Sequence, residues 1–308
     1  MRFSVGVLLL LCTLRPSSAR SRLNIGLIWN NHNQVASMLR GPCVKAGKAE
    51  GELWRCMMER AFNMSGTNYV GEPVLQRLVS NLLNDCCLLP RNGSVVDAGA
   101  NQGQESVLYS RATPPRIVHA VEPLPENIAK LEKLAVQHPN VVPHRGGLSD
   151  ADGEGAVSEA AVRGGQLVNG RLRDHENSSS QEGPKVAFQV FTIDSLYSQQ
   201  WRGESPAFFH LDLEGGELAA LRGARRTIAV HHPWFTVESY PHLKREAHEA
   251  LMAEVRSRGY TPFEVDEICG SPRDCRNFLC VPDDSVAAFT RSIIFEELTT
   301  RLRRIDAL

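Results

Sequence analysis

The chain has 308 residues, 42% hydrophobic and 22% charged, with a formal net charge of −1. That is the composition of an ordinary globular protein with room for one large or two small domains. No dense basic stripe with interleaved aromatics is present, which argues against a nucleic-acid partner, and the short Arg301–Arg304 cluster reads as a solvated helix face.

At the N-terminus, Arg2 precedes an apolar run from Phe3 to Leu14, and Ser17 and Ala19 fit the small-residue cleavage rule. This predicts a secretory signal peptide over 1–19 and a place in the secretory-pathway lumen (Golgi) or outside the cell. The run is too short for a comfortable membrane span, so no stable span is expected after cleavage; an uncleaved anchor is the alternative. No acid precedes Glu50, and the basic stretch Arg15–Lys48 also resembles a transit peptide, which makes an organelle the second destination. Residues 20–70 have weak periodicity and read as an N-terminal extension or linker. Once Cys12 leaves with the signal, Cys43 with Cys56 and Cys269 with Cys275 are the short-range disulfide candidates. Cys280, inside the apolar run Asn277–Val281, reads as core, and the absence of C-x2-C knuckles predicts no structural zinc. The sequons at Asn63 and Asn177 lie in polar, loop-like sequence and suit glycans; Asn92 abuts a strand.

From Glu72 to Leu89, apolar residues at helical spacing predict a helix. Ser94–Ala98 is the first strand of a domain expected over 71–285. It carries Asp97 and runs into a glycine-rich turn with Gly99, Asn101 and Gly103, which opens a helix. Glycines allow close backbone approach to a ligand, and a helix start offers free N–H groups. The second strand, Arg116–Glu122, ends in an acid about 20 residues on, a position suited to a ribose diol. A helix over Pro125–Gln137 and a third strand over Val141–Leu148 follow, with Ser149 and Asp150 just beyond. Gly153–Ala161 and Lys185–Thr192 read as short strands forming a hairpin insertion. The polar stretch 164–183 between them reads as a flexible insertion arching over the pocket. Strand four runs from Pro206 to Leu213, a helix starts at Glu217, and strand five is Trp234–Glu238. A helix over Arg245–Ser257 and strands at Tyr260–Val265 and Arg276–Val281 close the domain, with a C-terminal helix over 286–308. Alternating strands and helices predict an α/β fold: a doubly wound, mostly parallel, seven-stranded Rossmann-like sheet with its site at the strands' C-terminal edge.

The turn departs from a dinucleotide fingerprint, because positions 101 and 104 hold Asn101 and Gln104 where G-x-G-x-x-G needs glycine. The acid instead precedes the glycines. A pyrophosphate disfavours a carboxylate at its turn, whereas a cofactor carrying an amino acid and a sulfonium tolerates one. That order resembles the D-x-G-x-x-x-G loop of class I S-adenosylmethionine-dependent methyltransferases. In the strand-four region, His210, Asp212, Glu214 and Glu217 gather at one strand end, and in a strand the first three would share a face. Asp212 or His210 is thus a candidate base, with a buried core histidine as the alternative for His210 and a dipole-favoured first-turn acid for Glu217. His231, His232 and His242 lie near the same sheet edge and read as plain loop rather than a metal pair, so no metal is expected. Glu238 is a candidate for orienting an acceptor.

Taken together, the segments Val95–Ser106, Val121–Leu131, Gly147–Gly155, Phe191–Leu196, Phe209–Ala224, Arg258–Val265 and Asn277–Pro282 resemble an FkbM-family methyltransferase. The resemblance implies transfer of a methyl group from S-adenosylmethionine to an oxygen, on a hydroxyl of a glycan or small molecule. It implies that Asp97, Gly99, Asn101 and Gly103 hold the methionine end and that Glu122 takes the ribose hydroxyls. Ser149 and Asp150 would sit at the adenine edge, and Asp212 and Glu214 beside the transferring methyl. Gln102, Gln104 and the long 164–183 stretch depart from the family pattern. Two other readings are an inactive luminal protein that binds cofactor or glycan, and a nicotinamide-dependent dehydrogenase. No feature fixes an oligomeric state.

Overall fold

The computed structural model describes residues 73–85, 87–158, 162–163, 166–167, 185–201, 203–241, 244–265, 276–298 and 302–305. The N-terminal segment, most of the 164–183 stretch, His242 and the cysteine pairs Cys43/Cys56 and Cys269/Cys275 lie outside these residues. Among the described residues, no helix is long and apolar enough to cross a membrane.

In chain order the first elements are α1 (Pro73–Asn84), β1 (Ser94–Ala98), α2 (Gln104–Ser110), β2 (Val118–Glu122), α3 (Pro125–Gln137) and β3 (Val141–Arg145). The short strands β4 (Gly147–Leu148), β5 (Gly153–Ser158), β6 (Val162–Arg163) and β7 (Gln166–Leu167) precede β8 (Lys185–Phe191). Next come α4 (Ile193–Gln200), β9 (Pro206–Leu211), α5 (Glu217–Arg222), α6 (Arg225–His231) and β10 (Trp234–Ser239). The chain continues through α7 (Arg245–Ser257), β11 (Tyr260–Val265), β12 (Arg276–Pro282), α8 (Val286–Phe289), α9 (Ile293–Leu298) and β13 (Leu302–Arg304).

The main sheet has the order β3-β2-β1-β9-β10-β12-β11-β13. The pairings among β3, β2, β1, β9 and β10 are parallel, whereas β12 pairs antiparallel with both β10 and β11. β1, β2, β9 and β10 are buried along their whole length, as parallel strands covered on both faces must be. Alternation divides their side chains between two cores. Val95, Phe208 and Trp234 face α1, α8 and α9, while Val96, Phe209 and Phe235 face α4 through α7. The buried Arg116 guanidinium donates to the carbonyls of Leu83, Pro90 and Gly93, fastening the α1–β1 connection to the sheet.

The sheet has eight strands rather than the expected seven, because Leu302–Arg304 adds an antiparallel edge to β11. Where one C-terminal helix was expected, two short helices and this strand stand. Ser292 breaks the helical run and its hydroxyl accepts from Phe295 N. The third strand stops at Arg145, and beyond Gly146 the backbone crosses to a separate sheet, β4-β8-β5. A Cβ on Gly146 would lie 2.7 Å from Gln189 O, so only glycine fits at that crossing. The expected hairpin is present as β5 against β8, antiparallel. Cys280 is buried and free, as expected. Cys87, absent from the expected pairs, is disulfide-bonded.

Candidate active site

Strand order reverses on either side of β1, which opens a crevice at the C-terminal edge of the sheet between β2 and β9. The backbone leaves β1 through left-handed conformations at Gly99 (φ 83°), Asn101 (φ 49°) and Gly103 (φ 88°). A Cβ at Gly99 would fall 1.8 Å from Asp212 O, so a bare backbone is required there. Asp212 N donates to Ala98 O at 3.0 Å, which ties the end of β9 to the end of β1. Glu122 at the end of β2 accepts from Asn101 N at 2.9 Å through Oε2 and from Leu124 N at 2.8 Å through Oε1. The acid therefore pins the glycine turn, and the Asn127 side chain adds a third hydrogen bond to it. Asn101 Oδ1 is buried without a hydrogen-bond partner.

Negative charge is concentrated in this crevice. Asp97 is buried and accepts from the Ser106 hydroxyl. Burial pushes its carboxyl up to about 8, opposed by the Ser106 bond and assisted by repulsion from Glu105, Asp212 and Glu122. Burial also lifts Glu122 to about 7, despite its backbone donors. Asp212 and Glu214 are half-buried, and desolvation followed by neighbouring carboxylates raises both. Carboxylate oxygens of Asp212, Glu214 and Glu238 lie within 4.8 Å of one another, a spacing that also suits a divalent cation. Glu214 adopts φ 53°, the left-handed turn that follows β9. The Tyr240 hydroxyl donates to Glu238 Oε2 at 3.2 Å. Lys244 Nζ sits 4.6 Å from the centre of the Tyr240 ring and partly offsets the charge of Glu214. Among the described residues, no Lys or Arg forms an ion pair with Asp97, Glu105, Glu122 or Asp212.

The structure brings Asp97, Gly99, Asn101, Gly103, Glu122, Asp212 and Glu214 to this edge, as the sequence suggested. Ser149 and Asp150 follow β4; Ser149 is buried and donates to Asp150 Oδ1 at 3.3 Å, with Asp150 exposed. His210 goes elsewhere. β9 ends at Leu211, so the alternation expected to align His210 with Asp212 and Glu214 does not continue. In register, His210 lies between Asp97 and Thr236, bonded to the Thr236 hydroxyl at 2.8 Å and edge-on to Tyr109. Burial holds its imidazole down to about 4, so it is a neutral core histidine. Glu217 is structural too, since its Oε1 accepts from Leu213 N and Gly215 N and closes the turn. His231 and His232 lie at the opposite sheet edge from the crevice, because they precede β10, and His231 contacts Ser205 and Tyr197 there. Tyr240 and Lys244 were not anticipated: both lie past β10, where no sequence pattern points inward.

The parallel sheet, its order, and the reversed β12 define a class I methyltransferase fold. Residues 97–262 match the profile of the methyltransferase FkbM domain, more than half of the chain, and the chain belongs to that family. None of the curated proteins matches it in sequence. Among solved structures, the FkbM methyltransferase of Methylobacillus flagellatus is 17% identical with a TM-score of 0.44, over 81% of this chain and 59% of that one. Aeropyrum pernix fibrillarin, solved with S-adenosyl-L-methionine, is 14% identical over 67% of this chain and 74% of its own, with a TM-score of 0.39. An rRNA methylase from Streptococcus thermophilus is 12% identical over 69% of this chain and 97% of its own, with a TM-score of 0.40.

Proposed function

We propose that this methyltransferase uses S-adenosylmethionine to methylate a hydroxyl of a glycan or small molecule in the secretory-pathway lumen. The observation that carries the donor reading is the set of desolvated carboxylates around the glycine turn that have no ion-pair partner among the described residues. Desolvated like charges are costly unless a cation joins them. The donor set, carboxylates and the orphan Asn101 carbonyl, fits a ligand that brings an ammonium, a sulfonium and a ribose diol. It suits a pyrophosphate poorly, which counts against a nicotinamide cofactor. The Cys87 disulfide suits an oxidising lumen.

In this reading Asp97, Gly99, Asn101 and Gly103 hold the methionine end. Glu122 takes the ribose hydroxyls, and Ser149 and Asp150 border the adenine. When bound, the cofactor supplies an electrophilic methyl on a positively charged sulfur. Asp212, with Glu214 and Glu238 beside it, is placed to take the proton of an acceptor hydroxyl, whose oxygen would displace the sulfur, as a neutral thioether, from the methyl carbon. Orientation of the reactants contributes about 7–11 kcal/mol in favourable systems, and a positioned base about 10²–10⁴-fold. The test is incubation of the purified full chain with methyl-labelled S-adenosylmethionine and fractionated glycans and metabolites, with the label located by mass spectrometry. Label on an oxygen is expected, with turnover about 10²-fold lower in Asp212→Asn. Label confined to nitrogen or carbon, or no transfer to any fraction, would overturn the proposal.

A further inference from the structure

His119 on β2 and His144 on β3 are buried together against Trp201, which caps the end of α4. The Trp201 indole N–H donates to His144 Nε2 at 3.2 Å. An indole can only donate, so that nitrogen is unprotonated. His119 Nδ1 lies 2.9 Å from the same nitrogen, which makes Nδ1 a donor as well. The other His119 nitrogen, Nε2, lies 2.8 Å from Glu204 Oε2, in the turn before β9. A neutral imidazole has one N–H, and His119 has already used it. Beside an ionised Glu204, two lone pairs would then face each other across 2.8 Å. One further proton between Nε2 and Glu204 removes the conflict, and His119 then donates from both nitrogens. The rest of the chain of bonds needs no extra proton, since His144 Nδ1 donates to Gln200 Oε1 at 2.9 Å.

We propose that the folded protein binds this proton and that the His119–Glu204 pair is a pH-sensitive latch, fastening the end of α4 and the turn into β9 onto β2 and β3. Burial disfavours an imidazolium at His119, whereas the Glu204 carboxylate favours it by a hydrogen bond and by its charge. The facing lone pairs decide the balance for the protonated pair. The His119 side chain is 3% exposed and that of Glu204 26%, so the proton exchanges with solvent on the Glu204 side. Among the described residues, the titratable groups that meet His119 are Glu204 and, from β3, His144, which burial holds neutral with a value of about 4. Val96, paired with His119 from β1, is apolar. Tyr197 on α4 donates to the Glu204 main-chain carbonyl at 3.1 Å, and His231 on α6 meets the Tyr197 hydroxyl at 2.8 Å. A pair that holds its proton more tightly folded than unfolded contributes stability that is present below the ordinary histidine value of 6.5 and is lost as pH rises. The latch does not rest on the methyl-donor reading.

Nitrogen-15 NMR of the full chain labelled at histidine reads these protons directly, with the His119 signals identified as those missing from His119→Gln. At neutral pH, His119 is expected to be protonated on both nitrogens and His144 on Nδ1 alone. Glu204→Gln keeps the tie, because its amide N–H can donate to Nε2 of a neutral His119, so this variant is expected to fold and to lose the second His119 proton. Urea unfolding between pH 6.5 and 8.5 should then show a shallower loss of stability in Glu204→Gln than in the wild type. The difference reaches up to about tenfold in the folding constant per pH unit, the effect of one proton. An unprotonated nitrogen on His119 in the wild type at neutral pH would overturn the latch, and so would equal pH slopes in the two chains.

Discussion

Two regions of this molecule bury polar groups, and they do so in opposite ways. Beneath β2 and β3, His119, His144, Gln200, Trp201 and Glu204 form a closed network. His119 Nδ1 meets His144 Nε2 at 2.9 Å, His119 Nε2 meets Glu204 Oε2 at 2.8 Å, and His144 Nδ1 meets Gln200 Oε1 at 2.9 Å. Trp201 donates its indole N–H to His144 Nε2 at 3.2 Å and stacks on His119 with ring centres 4.5 Å apart. Because Trp201 only donates, His144 Nε2 is unprotonated, and its proton points to Gln200. Burial holds His144 down to about 4, in keeping with that neutral tautomer. At the C-terminal edge of the sheet, the crevice collects Asp97, Glu122, Asp212, Glu214 and Glu238, with Lys244 the one cation acting on them among the described residues. A polar network whose members bond chiefly to one another is a structural device. A cluster of acids at a topological switch point marks the candidate binding site.

The contrast breaks if the two regions respond alike to substitution. Glu122→Ala is expected to weaken S-adenosylmethionine binding by about 10²-fold or more, since two hydrogen bonds to a charged group are lost, with calorimetry as the measure. Trp201→Ala, in the closed network, is expected to cost about 3–5 kcal/mol of unfolding free energy in denaturant titration and to leave donor affinity of the folded fraction unchanged. Loss of donor affinity in Trp201→Ala, or a purely structural loss in Glu122→Ala, would erase the distinction.

A smaller effect sharpens the same contrast through pH. Asp97 and Glu122 hold their protons more tightly folded than unfolded, so the stability they contribute is present in acid and is lost as pH rises through about 7 to 8. His144 and His210 bind protons less tightly when folded, so their contribution is lost in the other direction, below their ordinary value of 6.5. Between pH 6.5 and about 8.5 the carboxylates therefore act alone among these groups, and the melting temperature of the ligand-free chain should fall. Asp97→Asn, which can still accept from Ser106, should flatten that fall; an unchanged slope would show that the crevice carboxylates do not titrate there.

Much of this was legible in the sequence, for identifiable reasons. The β-branched run before Asp97 could only be a strand, and the glycines after it mark left-handed backbone that the structure contains. Glu122 was found by its distance along the chain, because a strand-helix-strand unit has a nearly fixed length. What escaped depends on tertiary contact. Tyr240 and Lys244 have no periodicity to betray an inward direction. His210 was drawn into the site by assuming two more residues of strand than β9 possesses. The edge strand Leu302–Arg304 is too short for alternation to register. The misplacement of His231 and His232 was avoidable, since residues that precede a parallel strand lie at its N-terminal edge.

The central claim is that the uncompensated acids of the crevice serve a cationic adenosyl donor. Calorimetry of the full chain with S-adenosylmethionine and, separately, with NAD tests it most directly. Saturable binding of S-adenosylmethionine with no binding of NAD is the predicted result. Binding of NAD with none of S-adenosylmethionine would contradict it.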